Sequence, residues 1–395
     1  IVASTRIRTT FDIAWTCLSV VLLCTWAVLH LNVPAETVKV NIRRKIYLFG
    51  RSVWWWLVAL FAPELIASGC TVKFLAARHV NIMMQGWAAE DGVTWALPHA
   101  FFATMGGFAI EFEEGLIKVE QLGTTEATGG RQLVEARKRG IISRLPQVTE
   151  AEIEDRSKAD AVTKFLALVQ TTWFVTELVL RTVTRLPISQ IEIHTAAMVA
   201  CSTVAYAANW HRPQNIMTRV KLRADRLPNA EDIREIASQG GNPQWLRRSP
   251  TSISNDNIHD CGIAFSDRLR STKLNEVLPM HMTGVSFGLV FAAVHFAAWG
   301  FEFPTPQEQL GWRVACFVLL ATPIPVSLMM LHAEYLTKRH FATRLLAVVE
   351  SNVVILLEVI YVFARLFILA EVVRTLFYLP AGAYTATALW NVPHL

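Results

Sequence analysis

Long apolar runs alternate with charged stretches along most of the chain. Eight of these runs approach membrane-spanning length: Ile13–Leu31, Trp54–Leu75, Trp95–Ile110, Thr163–Val183, Ser189–Trp210, Gly284–Phe301, Gly311–Leu331 and Leu345–Val373. The pattern predicts an all-α polytopic transmembrane helix bundle of about eight spans, one domain over residues 1–395. The third run is short and glycine-rich, so a half-helix buried among the others is an alternative to a full span.

Charge fixes a sidedness for this threading. Eight crossings place residues 32–53, 111–162, 211–283 and 332–346 on one side, with five, eight, eleven and three Lys and Arg respectively. The opposite segments carry about five, namely Arg6, Arg8, Arg78, Arg185 and Arg374. The positive-inside tendency makes the basic side cytoplasmic and both termini lumenal or exterior. The cytoplasmic loops are a charged one, 111–162, and a basic one, 211–283. The chain opens on Ile1, and an upstream signal peptide or tag is one reading of that start.

Composition agrees. Of 395 residues, 53% are hydrophobic and only 17% charged, with a mean hydropathy of +0.35. The net charge of +5 carries no nucleic-acid implication in a chain of this kind, because the placement of its basic residues matters more than their sum. Five of the six cysteines lie in apolar runs and only Cys261 in a polar one, so neither a disulfide framework nor a zinc spacing is visible. No Walker, Rossmann, HExxH or CxxC motif occurs. Gly123–Gly130 (GTTEATGG) resembles a phosphate loop only in composition and is expected to be a turn.

An ionisable group inside a span costs a few kcal/mol and normally faces the bundle interior with a partner. Gln170, Trp173 and Glu177 share a helical face, His295 and Trp299 are one turn apart, and Glu358, Tyr361 and Arg365 repeat the i, i+3, i+7 spacing. Glu192, Tyr206 and Asn209 lie in the fifth span. His99, Glu177, Glu192, His295 and Glu371 fall toward the lumenal ends, Glu64 deeper, and one lumen-side polar cavity is the simplest arrangement. Each has a bland alternative: Glu177–Arg181 and Glu358–Arg365 as structural pairs, Glu192, Glu308 and Glu371 as interfacial carboxylates, and His295 as a core histidine. Trp173 and Trp299 are either pocket lining or packing, and Trp54–Trp56 and Trp95 fit an aromatic belt. Glu64 is the hardest to dismiss, since Leu60, Phe61, Ala67 and Ser68 are its helical neighbours and none is a cation.

Several segments together resemble a large group of fungal multi-span membrane proteins: Trp15–Pro34, FAPELIA (Phe61–Ala67), HAFFATMGGF (His99–Phe108), Ile153–Phe174, LPISQIEIHT (Leu186–Thr195), His295–Arg313, Tyr361–Pro380 and WNVPH (Trp390–His394). The group in turn is similar to the integral-membrane terpene cyclases of fungal meroterpenoid biosynthesis. That resemblance implies an isomerase of the endoplasmic reticulum that protonates an epoxide or olefin of a farnesylated substrate and guides the carbocation to a ring. A buried carboxylic acid and aromatic faces would suffice for this, with no metal or cofactor. Glu64, Glu177 and His295 are then the catalytic candidates, Glu64 as a neutral proton donor reset by His295. His99, Phe102, Gln170, Trp173, Glu192, Tyr206, Asn209, Trp299, Tyr361 and Glu371 are the substrate-binding ones. The chain departs from the group's pattern at Thr176–Arg181 and Asn209–Pro213. The partners expected are a lipophilic prenylated small molecule and the bilayer.

Two other classes use the same residues. A proton-coupled transporter or channel would relay protons along them, although no inverted repeat is evident. A membrane scaffold or sensor would use the basic loops for partners or anionic lipid. Haem attachment is remote, since no same-helix histidine pair accompanies His99 and His295.

Overall fold

The computed structural model describes residues 7–34, 42–111, 125–128, 130–157, 161–229, 231–232, 235–236, 274–337 and 341–387. Cys261, most of the basic loop, part of Gly123–Gly130 and the WNVPH segment lie outside the described residues; within Gly123–Gly130, Thr125–Thr128 is a strand rather than the expected turn, because it pairs with Phe108–Glu111. The elements run α1 (Thr10–Ala27), α2 (Ile42–Phe61), α3 (Pro63–Asp91), α4 (Leu97–Thr104), β1 (Phe108–Glu111), β2 (Thr125–Thr128), α5 (Gly130–Lys138), α6 (Glu150–Arg156), α7 (Ala161–Val183), α8 (Gln190–Ala208), β3 (Val220–Arg223), α9 (Leu274–Phe296), α10 (Pro306–Ala321), α11 (Pro323–Thr337) and α12 (Phe341–Arg374).

Local chemistry sets the helix ends that matter for the site. At α1 the Thr9 hydroxyl accepts from the Asp12 amide while the Asp12 carboxylate accepts from the Thr9 amide, a reciprocal cap. α2 and α3 are separated at Ala62 and bent by 112°. Pro63 starts α3, where the missing amide hydrogen costs nothing. α3 ends on Gly92, whose φ of 66° closes the helix in the left-handed region.

α3 runs through two cores. Ile66, Ala67 and Cys70 of its first half join α8, α9, α10 and α12 around Met198, Phe291, Trp312 and Ile368. Ala77, Val80, Met84 and Ala88 of its second half join α4, α5 and β1 around Phe101, Phe108, Leu133 and Ile141. The second layer carries a small sheet in the order β2–β1–β3, antiparallel on one side of β1 and parallel on the other. The sheet therefore brings parts of the two long loops side by side.

Among the described residues, five segments are long and apolar enough to cross a membrane: Thr10–Ala27, Gln190–Ala208, Leu278–Phe296, Pro306–His332 and Val348–Phe377. The bent pair Lys45–Phe61 and Pro63–Asp91 makes a sixth if it counts as one span. The chain is thus mostly helical, with the makings of an integral membrane protein of five or six spans. The third apolar run is not a span. It folds as the eight-residue α4 followed by β1, because Gly106 adopts φ 78° and turns the chain between them. The threading that put residues 76–94 opposite residues 111–162 fails with it: Arg137 on α5 pairs with Asp91 at 2.9 Å, and the Leu145 amide donates to Asp91 at 2.7 Å. Contacts of that length do not cross a bilayer. α7 is helical throughout but is less apolar than these five, carrying Lys164, Glu177 and Arg181.

Candidate functional site

α8 packs against α1, α3 and α9, and also touches α12, and the buried ionisable groups gather around it in two clusters. The first lies at the break between α2 and α3. Glu64, in the first turn of α3, accepts from the Tyr361 hydroxyl at 3.0 Å on Oε1 and from Arg365 Nη2 at 3.1 Å on Oε2. Arg365 also donates through Nε and Nη2 to the Phe61 carbonyl at 3.2 and 2.8 Å, one of the carbonyls that the helix break leaves without an amide. Its guanidinium carbon sits 3.6 Å from the centroid of the Phe291 ring, a cation–π contact in an apolar core. Both charges are buried, Glu64 at 4% and Arg365 at 5% exposure. Arg365 Nη1 is buried and makes no hydrogen bond among the described residues.

Behind Phe291 stand two histidines. His295 Nδ1 lies 2.8 Å from the Phe291 carbonyl and therefore carries its proton there, which leaves Nε2 to accept from His194 Nδ1 at 3.1 Å. The Trp312 indole closes the far side, 5.9 Å from the His295 ring.

The second cluster ties the chain's two ends to α7 and α8. Arg8 Nη1 meets Glu192 Oε1 at 2.7 Å, and Arg181 lies 3.8 Å from Glu177 and 4.0 Å from Glu192. Glu192 Oε2 accepts from both the amide and the hydroxyl of Ser189 at 2.7 Å, capping α8. Arg181 is wholly buried and spends its donors on the carbonyls of Pro187, Ala383 and Thr385. Arg8 adds the Ala383 carbonyl at 2.7 Å, and the Thr387 hydroxyl donates to Glu177. The segment 382–387 is the strap that supplies carbonyl acceptors to two buried guanidinium groups, although Arg8 Nη2 makes no hydrogen bond among the described residues.

The expected single cavity is therefore replaced by separated groups. Glu64, Tyr361 and His295 meet around Arg365 and Phe291, and Glu177 and Glu192 meet around Arg181. The Glu358–Arg365 pair does not form, since Arg365 turns to Glu64. Glu64 has the cation that its own helix lacks, so it does not stand in the structure as an isolated neutral acid. A reset by His295 has no direct route either, with both ring nitrogens engaged elsewhere.

The remaining candidates serve other places. His99 belongs to the layer beside the bundle, where Nδ1 accepts from the Ala96 amide at 3.1 Å and Nε2 donates to the Val148 carbonyl at 2.7 Å. Phe102 packs in the same layer, edge-on to Phe108 at 4.9 Å. Gln170 donates to Ser19 on α1, and Trp173 packs with Cys17, Val20 and Val199. Tyr206 stands edge-on to Trp210, and Asn209 ends α8, donating to the Val28 carbonyl and the Cys70 sulfur. Trp299 is 36% exposed in a turn after α9, stacked on Phe296 with Arg313 at 4.9 Å from its ring, so it lines no site beside His295. Glu371 is buried near the Arg374–Glu308 pair. Sequence reasoning missed His194 and Arg8. His194 lies one turn after Gln190 on the buried face of α8, and that spacing was the available signal.

The fold and the first cluster define a mostly helical membrane-type protein with an acid, a phenol and a guanidinium held together inside an apolar core. A family model described as a family of unknown function (DUF8562) matches residues 1–233, more than half of the chain, and the chain belongs to that family. No curated protein and no solved structure matches it.

Proposed function

We propose that the Glu64–Tyr361–Arg365 cluster is an acid–base centre that isomerises a lipophilic, bilayer-dissolved substrate. The observation that carries this is the unspent Nη1 donor of a buried arginine beside a half-buried tyrosine. At the end of α2 and on α3 and α12, outward apolar residues flank the cluster, among them Phe61, Leu65, Val362 and Leu366. A substrate reaching it from the side comes from lipid rather than from water.

The finer reading is a metal-independent terpene cyclase of a fungal endoplasmic reticulum, acting on a farnesylated epoxide, with residues 7–8 and 382–385 toward the lumen. Arg365 Nη1 polarises the epoxide oxygen, and Tyr361 gives it a proton as the C–O bond breaks. The alkene pair attacks the resulting cation and forms the ring C–C bond, while Phe291 and Arg365 keep water out. The last C–H proton passes to the Glu64 carboxylate, which returns it to the Tyr361 oxygen across their 3.0 Å contact. Substrate and product have the same mass. Glu64 is thus a base and relay whose ion pair with Arg365 suits it, rather than the donor.

A transport reading has one observation of its own. Helices broken at membrane depth carry ion sites in secondary transporters, and the 112° break at Ala62 has its Phe61 carbonyl held by Arg365. One experiment separates them. Microsomes holding the chain are given a farnesylated phenol epoxide, and proteoliposomes holding it are tested for proton flux. Isomeric cyclised product without flux supports the cyclase, whereas flux with unchanged substrate supports transport.

A further inference from the structure

We infer that the first half of α2 is an interfacial helix that binds the headgroups of anionic phospholipids. This stands on α2 alone and not on the acid–base reading. Ile42, Ile46, Phe49 and Val53 follow the i, i+4, i+7, i+11 spacing and form one apolar stripe. The same period sets positions 44 and 51, both arginine, on the opposite side of the helix, and positions 43 and 45, arginine and lysine, on the flanks of the stripe. Ile42, Ile46 and Phe49 are 70%, 66% and 68% exposed, and Lys45 is exposed as well. The stripe is turned away from the bundle, and no described part of the protein covers it.

Two contacts set the depth of this helix. Arg51 Nη2 donates to the carbonyl of Asn32, five residues past the end of α1, at 2.7 Å, and the Trp56 indole donates to the hydroxyl of Thr25, in the last turn of α1, at 3.1 Å. α2 is thereby held at the end of a membrane-spanning segment, where headgroups meet acyl chains, and the 112° bend at Ala62 turns it across α3 rather than alongside it. An amphipathic helix with a basic polar side suits that boundary: its apolar stripe enters the acyl region while long cationic side chains reach the headgroups. Charge then selects the lipid. Between Glu36 and Glu64 the chain carries five basic residues, Lys39, Arg43, Arg44, Lys45 and Arg51, and no acidic one. A basic run of this kind beside a span favours an anionic headgroup over a zwitterionic one.

The full chain carrying Ile46→Cys in a Cys261→Ser background, labelled with an environment-sensitive dye and placed in phosphatidylcholine bilayers, tests this. Brominated phosphatidylcholine and brominated phosphatidylserine, added in separate mixtures, report which lipid lies against the dye. Both should quench it, and phosphatidylserine should be preferred about tenfold or more, since each basic residue near an anionic surface is worth about fivefold. Replacing the basic run, with Arg43→Gln, Arg44→Gln and Lys45→Gln together, should remove most of that preference. Quenching by neither lipid would place the stripe in water or against protein, a second copy of the chain included, and overturns the inference. Equal quenching by the two lipids overturns it too, as does a preference that the triple variant keeps. Should that variant not fold, the unaltered basic run decides in about 1 M salt, where the Debye length is about 3 Å: the preference should collapse, and its persistence refutes the inference.

Discussion

Arg365 lies 301 residues from Glu64 in the chain, yet its Nη2 stands 3.1 Å from the Glu64 carboxylate, inside the core shared by α3 and α12. The charge that seemed stranded in an apolar run has its counter-ion on α12. The same guanidinium holds the broken end of α2, so one side chain joins helix geometry to site chemistry.

Breaking this pair from one side should be costly. Arg365→Met leaves the Glu64 carboxylate buried and uncompensated, an expected loss of about 3–5 kcal/mol. The double variant Glu64→Gln, Arg365→Met should recover much of it, because no charge remains to be solvated. Denaturant unfolding of the wild type, both single variants and the double variant in one detergent checks this, and additive losses would argue against a direct pair.

The segment Trp95–Ile110 should not cross the membrane. Single cysteines introduced at the exposed positions Glu90 and Glu154 should react with an impermeant maleimide from the same side of sealed vesicles, as the Asp91–Arg137 and Asp91–Leu145 contacts demand. Labelling from opposite sides would restore the eight-span threading.

Outside the bundle, Asp232 accepts from Arg226 at 2.7 Å and from Arg139 at 3.2 Å. The Arg226 hydrogen bond is the main force that brings its carboxyl down to about 2. A lowered carboxylate pKa contributes stability that is fully present above its ordinary value and is lost as pH falls through the folded one. Hydrogen-exchange protection around Ile141–Leu145 and Asp225 should therefore fall between about pH 4 and pH 2. Asp232→Asn should flatten that dependence, and an unchanged profile would show that the Asp232 pair does not hold this layer.

The two tryptophans near His295 should behave oppositely. Trp312 is fully buried against the His295 ring and its backbone, so Trp312→Ala should cost about 3–5 kcal/mol. Trp299→Ala removes a partly exposed stack and should leave folding and product pattern nearly unchanged. A product shift in Trp299→Ala with intact folding would return that residue to the site.

Much of this fold was legible in the chain. α1, α8, α9, the Pro306–His332 segment and α12 follow from apolar run length. The face Gln170, Trp173, Glu177 is buried as helical spacing required, and the Glu177–Arg181 pair forms one turn apart. Trp95–Ile110 misled because a largely apolar run of sixteen residues reads equally as a short span or as a buried helix and strand. Only the packing of Phe101, Phe102 and Phe108 against α3 and α5 decides it. The partner of Glu64 was invisible for a different reason. Local spacing reports i±3 and i±4 neighbours, whereas Arg365 arrives by tertiary packing of α12, and nothing within either helix encodes that meeting.

The most direct test of the account is the rate of cyclisation of a farnesylated epoxide by Tyr361→Phe beside the wild type. The substitution deletes one hydroxyl whose hydrogen bond to the buried Glu64 carboxylate is worth about 1.5–3 kcal/mol to the fold, so the protein should still insert and fold, with somewhat lower stability. The account predicts that turnover falls by about 10²–10⁴-fold, the loss expected when a general acid is removed. Wild-type turnover in a folded Tyr361→Phe protein would contradict it.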